Sequence, residues 1–93
     1  MGMTRSVGFL ACLRTCNRVT VPVEVRWRFG LEPGTPYAVR VSGGGFGREF
    51  YARLQRGGQL TVPPEVVVDE ELEIGDLLDV TLRWSPRAPP SPP

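Results

Sequence analysis

The residues able to do chemistry in this chain are few, and nearly all of them are arginines. Its 93 residues include no histidine, no lysine and only two cysteines, Cys12 and Cys16. A structural zinc site takes four nitrogen or sulfur ligands, which this set does not supply. No serine or cysteine has a neighbouring base in sequence to activate it as a nucleophile. Close carboxylates occur at Asp69-Glu70-Glu71 and Glu73, but a charge run of this kind reads as a solvated face. Neither catalysis, a metal nor a cofactor is expected. Arginine remains, and its forked guanidinium suits phosphate or carboxylate. The net charge of +1 hides a split: residues 1–48 carry seven arginines against Glu24 and Glu32, whereas residues 49–93 carry four against eight acids.

A repeated phrase organises the elements that must hold these arginines. Thr20-Val21-Pro22-Val23-Glu24-Val25 returns 41 positions later as Thr61-Val62-Pro63-Pro64-Glu65-Val66. At that offset residues 9–42 align with 50–83 without a gap, and twelve of the 34 pairs are identical. An ungapped register of this length indicates a tandem duplication. Cys12 and Cys16 have Arg53 and Gly57 as counterparts, so the fold does not require thiols; the cysteines are expected to be reduced and to serve packing.

Within each copy the hydrophobic period is two. Phe9, Ala11 and Leu13 share one strand face, as do Phe50, Ala52 and Leu54, and the small alanine suggests a crowded interior. Cys16-Asn17 and Gly57-Gly58 tolerate positive φ and predict tight hairpin turns. Second strands follow at Arg18–Val21 and Gln59–Val62, with Val19 and Val21 inward. Pro22 and Pro63 then end the strands and suit the first position of a helix, with Thr20 and Thr61 as candidate caps. Glu24–Phe29 reads as a short helix stopped by Gly30. Val66-Val67-Val68 is β-branched and a poor helix former, so the second copy is expected to hold one turn or an irregular loop, with Asp69-Glu70-Glu71 exposed. A glycine turn leads to a third strand, in which Tyr37, Val39 and Val41, or Leu78, Val80 and Leu82, face inward.

The expected fold is therefore all-β with one or two short helical turns: a six-stranded, pseudo-twofold barrel of two β-β-α-β repeats. The single domain spans residues 7–84, with repeat one at 7–42, a flexible glycine linker at 42–48 and repeat two at 49–84. Residues 1–6 are expected to fray. The proline-rich tail 85–93 is expected to be a solvated, disordered segment resembling polyproline, with docking into an aromatic groove of a partner as the alternative. No apolar run reaches the ~20 residues that span a bilayer, and Val7–Leu13 does not make a signal peptide, so a cytoplasmic location is expected. The glycines of 42–47 precede a strand, not a helix, and so do not make a phosphate loop.

Asn17-Arg18-Val19-Thr20-Val21-Pro22-Val23-Glu24-Val25-Arg26, followed by Phe29-Gly30-Leu31-Glu32-Pro33-Gly34, resembles the AbrB/SpoVT family of DNA-binding proteins. Gly58-Gln59-Leu60-Thr61-Val62-Pro63, followed by Leu72-Glu73-Ile74-Gly75-Asp76, resembles it again. The likeness spans about residues 9–41 and 50–82. The family's usual form is a homodimer of interleaved hairpins, so this chain resembles a single-chain equivalent. Among cradle-loop barrels the RIFT-like form is expected first, a fused swapped-hairpin barrel second and a double-psi barrel third.

The resemblance implies transcription regulation or an antitoxin-like role through duplex DNA. Arg14, Arg18, Arg26 and Arg28 are the candidate contacts; Arg18 and Arg26 fall at family positions, while Trp27 stands where the family is often basic. Gln59 and Val67 replace the arginines in the second copy. The competing reading is a protein-interaction or assembly barrel, in which the basic half of one molecule meets the acidic half of another. No nucleotide site of the kind a RIFT-barrel kinase would need is evident.

Overall fold

Proline and glycine mark the ends of several strands, with Pro22 and Pro63 after the two shortest and Gly44-Gly45 between the two that form a hairpin. The computed structural model describes residues 6–84, so the expectations for 1–5 and the tail 85–93 lie outside the described residues. The order is β1 (Ser6–Cys12), a 3-10 turn (Thr15–Asn17), β2 (Arg18–Thr20), α1 (Val23–Phe29), β3 (Pro36–Gly43), β4 (Phe46–Arg53), β5 (Gln59–Thr61), α2 (Pro64–Asp69) and β6 (Leu77–Trp84). One antiparallel sheet runs β1-β6-β3-β4, and β2 pairs with β5 in a separate ribbon. The ladders do not join into a closed barrel. One reason is length: β2 and β5 have three residues each and are followed within two by Pro22 and Pro63, and proline cannot donate to a ladder.

All four named ladders join one copy to the other. β1 pairs with β6 from Ser6↔Arg83 to Cys12↔Leu77, β3 with β4 from Pro36↔Arg53 to Gly43↔Phe46, and β3 with β6 from Tyr37↔Trp84 to Ser42↔Asp79. The loop bonds come in matched pairs at the 41-residue offset. Gly34 N–H donates to Leu54 O (2.7 Å), and Gly75 N–H donates to Leu13 O (2.8 Å). Val21 N–H donates to Gly58 O (2.8 Å), and Val62 N–H donates to Asn17 O (2.7 Å).

The inward strand faces are as the period predicts. Leu13, Leu54, Val19, Val21, Leu60, Val62, Tyr37, Val39, Val41, Leu78, Val80 and Leu82 are buried, and Phe9, Phe50 and Ala52 pack against them. No polar or charged side chain among the described residues is buried. No helix is long and apolar enough to cross a membrane, again among the described residues.

Besides the expected barrel, which the ladders do not close, four expectations need correction. The linker is not a loose connection: Gly44-Gly45 is a two-residue turn in a continuous β3–β4 hairpin, and Phe46 covers Gly43 so closely that a Cβ there would lie 2.7 Å from its ring. Pro22 and Pro63 cap their helices from outside; Pro64 takes the first turn, and neither threonine caps. The second copy does form a helix, because Pro64 preorganises its start and Val66 gains burial at 3% exposure, which outweighs the propensity cost. Cys12 and Cys16 are free but exposed, so they are not packing residues.

The two helices end alike, with unequal residues. Leu31 N–H bonds Arg26 O and Leu72 N–H bonds Val67 O, each at 2.9 Å. Both ends need a left-handed residue: Gly30 supplies it at φ 64, whereas Glu71 is held there at φ 53. A side chain in that region costs about 1–2 kcal/mol, offset in part by the entropy glycine loses on folding. Glu71→Gly is therefore expected to raise stability by up to about 1 kcal/mol, and Gly30→Ala to lower it by about 1 kcal/mol. Urea unfolding followed by circular dichroism checks both signs; equal signs would contradict the matched-end reading.

Candidate nucleic-acid interface

The β2–β5 ribbon places most of the candidate arginines. Its inward residues are Val19 and Leu60, opposite each other in the ladder and both 0% exposed. The alternation of a strand then sends Arg18, Thr20, Gln59 and Thr61 outward. The tight turns lie at opposite ends of the ribbon, since Asn17 bonds to Val62 and Gly58 bonds to Val21. Cys16 and Asn17 adopt φ 61 and 56, and Gly57 and Gly58 adopt φ 88 and 78, as the turn residues predict. Arg14 stands at the first turn and Arg56 at the second, both exposed.

Arg18 Nη1 donates to Gln59 Oε1 at 3.2 Å. These two residues are 41 positions apart, so the bond joins the two copies of one position across the ribbon. Gln55 Nε2 donates to Thr61 Oγ1 at 3.2 Å on the same ribbon. Arg14, Thr15, Cys16, Arg18, Thr20 and Gln59 line an open depression of about 450 Å³ that has no acidic residue in its wall. Two guanidiniums over hydroxyl and amide groups, without a carboxylate, can bind an anion and donate hydrogen bonds beside it.

The other candidates sit differently. Arg26 is half-buried; its Nε donates to Val21 O (3.2 Å), and its guanidinium lies on Gly58, where a Cβ would overlap Nε. The counterparts of Arg26 and Gly58 are Val67 and Asn17, so the copy with the long side chain on its helix has none on the facing turn. Arg26 therefore positions the second turn. Arg28 is exposed, 5.7 Å from the ring centre of its neighbour Phe29, and Trp27 beside it is 80% exposed. The structure thus brings Arg14 and Arg18 together, assigns Arg26 a packing role and leaves Arg28 on the helix.

Arg56 was missed. It follows a glutamine in the acidic half, so charge counting gave no reason to choose it. The offset does place it opposite Thr15 at the matching turn, which is the signal that could have found it.

The remaining described arginines are engaged. Arg48 Nη1 reaches Glu70 Oε2 (3.0 Å) and Asp69 Oδ2 (3.4 Å); the Glu70 hydrogen bond is the main cause holding its pKa above the ordinary arginine value. Arg40 and Arg83 lie 3.5 and 3.4 Å from Glu49. Arg53 Nη1 donates to Gly34 O at 2.9 Å. Part of the charge difference between the halves is thus met inside the molecule, and Glu70 is half-buried beneath Arg48 instead of standing free. Arg14, Arg18, Arg26, Arg28 and Arg56 make no ion pair among the described residues.

No protein-family model matches the chain, and no curated protein matches it. Among solved structures, it is similar to the solution structure of PHS018 from Pyrococcus horikoshii. The likeness covers 86% of this chain and 94% of that one, with a TM-score of 0.72 and 22% identity. The two share a fold.

The Arg26–Gly58 seat is separable from backbone strain. Gly57 and Gly58 both have positive φ, but only Gly58 has a neighbour where a Cβ would stand. Gly58→Ala is expected to cost about 1 kcal/mol more than Gly57→Ala, the size of one lost hydrogen bond. That excess should vanish in an Arg26→Ala background, as a double-mutant cycle of urea midpoints would read.

Proposed function

We propose that the protein binds duplex DNA through the outward face of the β2–β5 ribbon. The observation that carries this reading is that face itself, which bears arginines without ion pairs among the described residues, surrounding threonine and glutamine side chains, and no acid in its depression. Two antiparallel strands lie ~4.8 Å apart, and a two-stranded ribbon enters a major groove about 12 Å wide. In this arrangement Arg14 and Arg56, at the two turns, contact phosphates of the flanking backbones. Arg18, Thr20, Gln59 and Thr61 face the base edges. Arg26 acts through the turn it supports, and Arg28 adds positive charge beside α1. No chemical step is involved: binding releases counterions and occupies the site, which suits a transcriptional or antitoxin-like regulator of the AbrB/SpoVT type.

The finer fold reading belongs with this proposal. The 41-residue pairing of loop bonds supports a pseudo-twofold cradle-loop arrangement. The fact that the named ladders join the two copies favours a fused swapped-hairpin form over the RIFT-like one expected first. Head-to-tail assembly has less support, since three of the acids of the second half, Glu49, Asp69 and Glu70, already hold Arg40, Arg48 and Arg83.

Fluorescence anisotropy of a labelled duplex, titrated across salt concentrations, tests the proposal. The slope of log K against log salt is expected to fall by about 0.9 for each phosphate contact removed. Arg14→Ala should show that loss, and Arg18→Ala should weaken binding. Arg40→Ala should leave both quantities unchanged. Absence of duplex binding at about 50 mM salt would overturn the proposal.

A further inference from the structure

The two halves of the ribbon face share their strand register and framing backbone bonds and differ in chemistry. Matched bonds at Val21–Gly58 and Val62–Asn17 frame it at both ends, and Val19 and Leu60 meet at its centre. Exchanging the copies therefore superposes each outward position on its counterpart. Thr20 and Thr61 are alike. The other four positions are not: Arg14 against Gln55, Thr15 against Arg56, Cys16 against Gly57, and Arg18 against Gln59. In a homodimer such differences cannot arise, because both halves come from one sequence. Here the duplication frees them to diverge.

The difference at 18 and 59 is of the kind that distinguishes bases. Arginine offers donors only and matches the two acceptors of guanine, O6 and N7. Glutamine offers a donor and an acceptor and matches N7 and the N6 amino group of adenine. The bond between Arg18 Nη1 and Gln59 Oε1 holds the two side chains as one unit. It leaves Arg18 with further donors. Gln59 keeps both Nε2 protons and the second lone pair of Oε1, enough for a two-bond contact to adenine.

We propose that one chain reads one non-palindromic duplex site, with Arg18 on a guanine and Gln59 on an adenine of that site. This rests on the duplex-binding reading above and specifies its target. One polypeptide occupies the site because it already contains both copies of the motif.

The test is selection of bound duplexes from a randomised pool by the full chain, followed by titration of the selected duplex. The expected result is a consensus that differs from its reverse complement, bound by one chain per duplex. Two single variants make positions 18 and 59 chemically alike. Gln59→Arg should move the central consensus toward two-fold symmetry with guanine in both halves and lose the adenine preference by at least about fivefold. Arg18→Gln should move it toward symmetry with adenine in both halves, so either variant suffices if the other fails to fold by circular dichroism. A palindromic wild-type consensus, two chains per duplex, or a consensus unchanged in a folded variant would overturn this inference while leaving duplex binding intact. Binding without base preference would do the same. Failure to bind the unselected pool would overturn the duplex-binding reading and this one together.

Discussion

Strand pairing between the two copies is the constraint on which everything else rests. β1 finds its partner in β6, β4 in β3, and β2 in β5. The Gly34 and Gly75 amides bond the carbonyls of Leu54 and Leu13 in the opposite copy. Within a copy, backbone pairing between strand regions is limited, among the described residues, to the isolated bridges Arg14↔Arg18 and Gln55↔Gln59 that close its tight turn. A lone copy would leave its strand amides and its valine and leucine face without partners. The side chains of the interior can be apolar because the strand backbones around it are paired across the two copies.

That arrangement also explains where the charge lies. The repeat keeps backbone geometry and lets exposed and rim positions drift. Val7 and Phe29 in the first copy correspond to Arg48 and Glu70 in the second, so an apolar pair of positions is matched by an ion pair at 3.0 Å. Arg26 and Val67 show the same drift, with the facing turn adjusted from asparagine to glycine. Such exchanges account for arginines and acids at the rims without a partner molecule. Arg14, Arg18 and Arg56 take part in none of these ion pairs among the described residues, and they lie on one ribbon and its two turns.

Much of the fold was legible because alternation and punctuation agreed in both copies. The inward strand residues, the positive-φ turns at 16–17 and 57–58, and the Gly30 stop follow from residue type. The helix over Pro64–Asp69 did not, because a run of β-branched residues argues locally against what burial of Val66 and a proline start allow. The Gly44-Gly45 hairpin was hidden for a different reason: glycines read equally as slack or as a turn, and only the ladder from Pro36 to Arg53 decides. Among the candidate site residues, Arg14 and Arg18 could be chosen by motif and charge. The seating of Arg26 on Gly58 depends on a contact between distant positions, which no local pattern carries.

The β3–β4 hairpin sets an order of assembly. Its turn brings together residues adjacent in sequence, from Gly43↔Phe46 outward, whereas β1 meets β6 across almost the whole described chain, at Ser6↔Arg83. Closing a long loop costs more entropy than closing a short one, and non-local pairing slows folding. The cheapest path begins at the junction of the two copies, adds β6 to the exposed edge of β3, and seats β1 last. The duplication joint, which looked like slack in the sequence, is then the place from which the protein folds outward.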